Sequence, residues 1–142
     1  EPMTHPEMIS EAVQPMLDDT EIRVVNLLGE IKDDTEFNDR NCIKVVCDIH
    51  NNALYFSREP IPTNSKLGDA PKLKQVCVIP FRRDFLLEYT KLSPTPLEEI
   101  ESVDMMRVLE YGMKVRMVAT QHASHAVDTR DDLIKVQKLM KG

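Results

Sequence analysis

Residues 43–58 read IKVVCDIHNNALYFSR, and this stretch decides the fold. Two short runs rich in β-branched, apolar and aromatic side chains, 43–49 and 53–57, flank His50-Asn51-Asn52. Asparagine tolerates the left-handed backbone that a tight hairpin turn needs, so the pattern predicts two antiparallel strands joined there. Arg58 then emerges at a strand end, where its planar fork suits either a carboxylate or phosphate, or a surface ion pair with a neighbour such as Glu59.

Toward the N-terminus, Thr4 and Glu7 have capping-box spacing, and Met8, Ile9, Ala12, Val13 and Met16 recur at helical intervals, which predicts a helix over 5–17. Residues 23–28 form a strand, and 29–41, crowded with acidic and amide side chains, a connection holding one helical turn. Residues 59–74 are dense in Pro, Gly, Ser, Asn and Lys and read as a long surface loop. A strand over 75–81 and a short helix over 83–89 follow, the helix ended by Ser93-Pro94-Thr95-Pro96. Leu97, Ile100, Val103, Met106 or Arg107, and Leu109 keep a helical period through 96–111, with Gly112 placed to cap it. A strand over 115–120 precedes a last helix opened by Thr129 and Asp132, with Leu133, Val136, Leu139 and Met140 as its buried stripe. Helices alternating with strands, some of them antiparallel, make an α/β layout.

A chain of 142 residues suits one domain. Its net charge of -6 argues against a nucleic-acid partner, and Lys66, Lys72 and Lys74 read as a solvated loop cluster. No apolar run approaches the ~20 residues a membrane span needs. The three cysteines, Cys42, Cys47 and Cys77, have no CxxC spacing and read as buried thiols of a reducing, cytoplasmic compartment. No charged-then-apolar leader follows Glu1.

Phosphate-loop, nucleophile-elbow and zincin motifs do not occur. His122 and His125 are spaced i, i+3 without a third nitrogen or sulfur ligand nearby in sequence, so polar loop histidines are the better reading than zinc ligands. Asp128 stands just before a helix N-cap and after a strand, where α/β enzymes place hard-cation ligands, although a capping role suits it equally. The acidic residues between Pro96 and Gly112, Glu98, Glu99, Glu101, Asp104 and Glu110, read as a charged solvated face around an apolar stripe.

Several segments in order resemble one family, the 3-deoxy-manno-octulosonate cytidylyltransferases, or CMP-Kdo synthetases. Glu1-Pro2-Met3 is similar to the tail of its Q-G-D-E-P segment. Lys44-Val45-Val46 and Ala53-Leu54-Tyr55-Phe56-Ser57-Arg58, continued by Ile61-Pro62, resemble its V-K-V-V…A-L-Y-F-S-R hairpin. Pro96-Leu97-Glu98, Ile100-Glu101, Arg107-Val108-Leu109 and Tyr111-Gly112 follow P-L-E-x-I-E…L-R-x-L-x-Y-G. Val127-Asp128-Thr129 with Asp132-Leu133 is similar to V-D-T-P-E-D-L.

The resemblance implies the C-terminal part of a nucleotide-diphospho-sugar-transferase-like (Rossmann-like) α/β/α sandwich with a mixed sheet, roughly the last three-fifths of such an enzyme, with the CTP-binding half upstream of Glu1. It implies transfer of CMP from CTP to an acidic sugar in lipopolysaccharide biosynthesis, a homodimer, and Mg2+ bound by Asp128 with a carboxylate preceding Glu1. The chain alone is expected to be inactive, and no catalytic residue is assigned. Arg58 would hold the acid. Where the family carries H-L-G-x-Y-x-Y, this chain reads Gln75-Val76-Cys77-Val78-Ile79-Pro80-Phe81, and an E-Q pair becomes Asp104-Met105. Sugar-pocket positions Gln75, Ile79, Asp104 and Met105 thus depart from the family, which opens the acceptor to another small acid, a phosphonate included. A non-catalytic dimerisation module is the remaining alternative.

Overall fold

The computed structural model describes residues 2–63, 70–122, 125–127 and 129–141. In chain order the elements are α1 (Pro6–Asp18), β1 (Val25–Glu30), α2 (Asp34–Asn38), β2 (Lys44–Cys47), β3 (Ala53–Ser57), β4 (Leu73–Val76), α3 (Arg83–Tyr89), α4 (Pro96–Glu101), α5 (Met105–Glu110), β5 (Arg116–Ala119) and α6 (Arg130–Leu139).

The hairpin forms as expected: β2 and β3 are antiparallel, with Val45 opposite Phe56 and Lys44 opposite Ser57. Asn51 takes the left-handed conformation at φ 60°. The Asp48 carboxylate accepts the backbone N–H groups of His50 and Asn52, both at 2.8 Å, so the turn is held from within. The five strands lie in the order β3-β2-β4-β1-β5, antiparallel except for the parallel β1/β5 pair. Ala53 N–H also reaches the Val115 carbonyl (2.9 Å) and Met117 N–H the Asn51 carbonyl (2.7 Å), tying the turn to the β5 end.

Strand alternation divides the core between the two faces. Val25, Leu27 and Val76 meet Met8, Ala12 and Met16 of α1. Val24, Leu28, Val45, Phe56 and Met117 meet Phe85 of α3 and Met105, Met106 and Val108 of α5. Helices therefore cover both faces of a mixed sheet, the α/β/α layering that the resemblance implies. Among the described residues no helix is long and apolar enough to cross a membrane.

Several boundaries differ from the expectation. The helix over 96–111 is two helices: Ser102 turns left-handed (φ 52°, ψ 53°), and the Val103 N–H reaches back to the Glu98 carbonyl at 3.2 Å. This reversal resets the helical phase, so Val103, Met106 and Val108 are buried while Ile100 is 76% exposed. Gly112, at φ 73°, ends α5 as expected. β4 begins at Leu73 and stops at Val76 rather than running over 75–81. The break comes where the Val78 N–H turns back to the Val76 carbonyl (2.7 Å), although the Val78 and Pro80 carbonyls still accept from Leu27 and Val25.

The α1 cap is His5, not Thr4, its Nδ1 accepting the Glu7 N–H at 3.3 Å. In α6 only Val136 of the expected stripe is buried, and Leu133, Leu139 and Met140 stay exposed because the described residues supply no surface opposite them. Cys77 is exposed and Cys42 and Cys47 half-buried, since the first follows the broken end of β4; none is in a disulfide. Lys74 lies in β4 and pairs with Glu36, while Lys72 pairs with Asp34 and stacks over Phe37, so neither is a solvated loop charge; Lys66 and the rest of 64–69 lie outside the described residues.

Candidate functional site

Arg58 leaves β3 toward the C-terminal end of α4. Its guanidinium donates to the carbonyls of Glu101 (2.7 Å), Arg40 (2.9 Å) and Ser102 (3.1 Å). A cation there also meets the negative end of the helix dipole. The exchange is mutual, because the Glu101 carboxylate accepts from the Arg58 N–H (2.8 Å), Tyr55 hydroxyl (3.0 Å) and Ser57 hydroxyl (3.2 Å). Of the five N–H donors a guanidinium carries, three are used in these bonds, and the side chain is half-buried.

Beneath Arg58, Lys44 is fully buried, and its ammonium donates to the Asp39 (2.8 Å), Cys42 (2.7 Å) and Arg58 (2.5 Å) carbonyls. Burial pushes its pKa below the ordinary lysine value, while three carbonyl acceptors compensate the lost hydration.

An ion pair joins α4 to α5. Arg107 forks onto Glu98, Nε to Oε2 at 2.7 Å and Nη2 to Oε1, and its guanidinium lies 4.8 Å from the centre of the Tyr89 ring. Glu98 also accepts the Thr95 N–H (3.1 Å), while Glu110 accepts the N–H groups of Leu97 and Glu98 at the start of α4. Arg107 is the chief cause that holds the Glu98 carboxyl below its usual range. Glu98, Glu101 and Glu110 are therefore internal hydrogen-bonding groups, which corrects the expected solvated acidic face. The Tyr55/Ser57 and Glu98/Glu101 spacings put each pair on one face, the signal from which these contacts could have been read.

The remaining sugar-pocket candidates lie on the same side of the sheet. Gln75 stands opposite Leu28, and its amide donates to the buried Asn26 side chain at 2.6 Å. Asn26 in turn donates to the Leu27 and Val76 carbonyls, both at 2.8 Å. Ile79 packs half-buried against the cluster that contains Met105, itself 2% exposed. Asp104 is exposed at the start of α5, and its carbonyl accepts the Tyr89 hydroxyl (3.2 Å). Arg58, Asp104 and Met105 are thus linked through the α4–α5 turn, and Gln75 through Asn26 on the adjoining sheet face. Asp128 lies outside the described residues; the flanking Thr129 caps α6 and accepts the Asp132 N–H at 3.2 Å.

The structure brings together one further group that sequence spacing did not suggest. His122 stacks on His5, with ring centres 4.5 Å apart, and its Nε2 lies 3.2 Å from a Glu7 carboxylate oxygen. His122 is matched with residues from the far end of the chain.

A mixed sheet between two helical layers thus carries a hairpin arginine and a carboxylate-bearing turn at one end. Residues 1–115 match the cytidylyltransferase family model, and the chain belongs to that family. Among curated relatives it is similar to the 3-deoxy-manno-octulosonate cytidylyltransferases of Fusobacterium nucleatum (36% identical, covering 99% of this chain and 58% of that protein) and Geobacter metallireducens (41%, covering 96% and 58%). Among solved structures it is similar to a CMP:2-keto-3-deoxy-manno-octonic acid synthetase complexed with CTP, at a TM-score of 0.90 and 34% identity over 99% of this chain and 58% of that one. The chain spans less than two-thirds of the length of these relatives.

Proposed function

We propose that this chain is the acid-sugar-binding and dimer-forming part of a CTP-dependent cytidylyltransferase that activates Kdo or a related ulosonic acid as its CMP derivative. The observation that carries this reading is the agreement of nearly the whole chain, in fold and sequence, with the CTP-complexed synthetase. In the reaction a hydroxyl of the acid attacks the α-phosphate of CTP and pyrophosphate leaves, so the protein's task is to position the reactants and screen their charge.

Arg58 suits the acid end of the substrate. Its anchored fork keeps two N–H donors beyond the three bound to carbonyls, and it loses little freedom on binding a carboxylate. Gln75, held by Asn26, offers its amide oxygen to a sugar hydroxyl. Asp104 adds an exposed carboxylate beside the same turn. Asp128, with a second carboxylate upstream of Glu1, would hold Mg2+, since an all-oxygen donor set suits that ion. Asp132 is a poorer ligand candidate, because its carboxylate accepts from the Thr129 N–H (2.8 Å) and hydroxyl (2.6 Å). When bound, the ion neutralises phosphate charge at the reacting centre.

A second reading changes the acceptor to a smaller or less hydroxylated acid, such as a phosphonate. It is favoured by Ile79, a half-buried apolar side chain at a position where the resemblance implies a polar sugar contact. Pyrophosphate release by the intact protein, measured with CTP and a panel of acidic acceptors, tests both. Efficient turnover of Kdo supports the first reading and selective turnover of another acid the second; no turnover with any acid leaves a non-catalytic dimerisation module. Asp128→Ala should reduce the magnesium-dependent rate about 100-fold or more, and an unchanged rate would remove the metal assignment.

A further inference from the structure

We propose that His5, Glu7 and His122 bind a borderline divalent transition ion such as Zn2+. Glu7 lies in the first turn of α1, directly after the His5 cap, and His122 comes from the segment beyond β5. One ligand atom from each of the three lies within 4.8 Å of the others. His122 Nε2 is 3.2 Å from Glu7 Oε2, and His5 Nδ1 is 3.9 Å from the same oxygen. A tetrahedral ion with bonds of ~2.0–2.1 Å sets its ligands roughly 3.4 Å apart, so the Glu7–His122 pair is already near that spacing and His5 has to move inward to join it.

A second observation comes from Glu11, one helical turn beyond Glu7 on the same face. Its Oε1 lies 3.6 Å from His122 Nε2, and its Oε2 is buried without a hydrogen-bond partner. Folded chains avoid leaving a buried carboxylate oxygen unpaired, and a cation beside His122 would sit next to the other oxygen of this same carboxylate. Glu11 is thus placed to add a carboxylate to the set or to orient His122 behind it.

The donor chemistry selects the ion. Magnesium prefers oxygen ligands and keeps much of its water, whereas imidazole nitrogens favour zinc, cobalt, nickel and copper. The two rings stack at 5°, so one must tilt to aim its lone pair at a shared ion, and the exposure of His5 and Glu7 leaves room for that. Binding also competes with the His5 cap, because its Nδ1 accepts the Glu7 N–H. The site joins the start of α1 to the segment beyond β5.

Cobalt titration of the intact protein, read by its visible absorption bands, tests the proposal without an activity measurement. About one equivalent of Co2+ should bind, be displaced by Zn2+, and resist about a hundredfold excess of Mg2+. His122→Ala and His5→Asn should each weaken binding about tenfold or more, whereas Asp128→Ala should leave it within about twofold. Asparagine keeps a capping oxygen, and far-UV circular dichroism checks that each variant folds. The proposal is overturned by absence of Co2+ and Zn2+ binding, by affinity unchanged in both histidine variants, or by an equal loss in Asp128→Ala, which would place the ion at the magnesium position.

Discussion

Glu98→Ala should destabilise the protein by about 3 kcal/mol, the loss characteristic of breaking one partner of a largely buried ion pair. The Glu98 and Arg107 side chains are only 9% and 17% exposed. Alanine removes both arms of the Arg107 fork and the acceptor for the Thr95 N–H. Charge-assisted bonds contribute about 1.5–3 kcal/mol each, but Arg107 recovers part of that from water and keeps its Tyr89 contact, so the lower part of the summed range applies. Urea unfolding should show the midpoint fall with little change in slope, and the melting temperature should drop by about 9 °C at roughly 3 °C per kcal/mol for a domain of this size. In a double-mutant cycle, Glu98→Ala and Arg107→Leu together should cost less than their sum, with a coupling of about 2 kcal/mol. A loss below about 1 kcal/mol, or strict additivity, would refute the claim that this pair couples α4 to α5.

The same contacts predict acid sensitivity. Arg107 bonding depresses the Glu98 carboxyl, and the Asn52 backbone N–H is the chief cause that depresses Asp48. A depressed carboxylate contributes stability that is complete above its unfolded pKa and lost as pH falls through the folded value. Urea midpoints should therefore be level from neutral pH to about 5 and fall below about 4, and constancy to about pH 3 would contradict this. Lys44→Met should cost about 2–3 kcal/mol by leaving three carbonyls without their donor, measured by the same denaturation; a neutral result would show that hydration replaces the ammonium. Cys77 should be alkylated first at mildly alkaline pH. Cys42, whose thiol is pushed up to about 11 mainly by burial, should react far more slowly, and mass spectrometry of the labelled peptides would reveal the reverse order.

Much of the fold was legible because local periodicity and local turn chemistry agree. The β2–β3 hairpin, α3, the single turn of α2 and the Gly112 cap all appear where the residues predict them. The missed break at Ser102 has a different origin, since no glycine or proline marks it. It depends on Glu98, Glu101 and Glu110 finding partners in Arg107, Arg58 and the α4 backbone, all contacts between elements. The acidic residues were visible in sequence, but their burial was not, because composition cannot say which carboxylates meet a cation.

The candidate site divides the same way. Its residues came from motif resemblance, and the sequence already singled out Arg58, Gln75, Ile79, Asp104, Met105 and Asp128. Tertiary structure decided that the Arg58 guanidinium is seated on the carbonyls ending α4, that Gln75 is held by the buried Asn26, and that Met105 is core. It alone brought His122 against His5 and Glu7.

By itself the sequence determined the alternation of helices with strands, the antiparallel hairpin and the family pattern, because these rest on neighbours a few residues apart. Tertiary structure decided the strand order, the split of α4 from α5 and the partner of each buried charge. Those depend on long-range pairing, in which the loss of hydration of a charge must be balanced by a group distant along the chain.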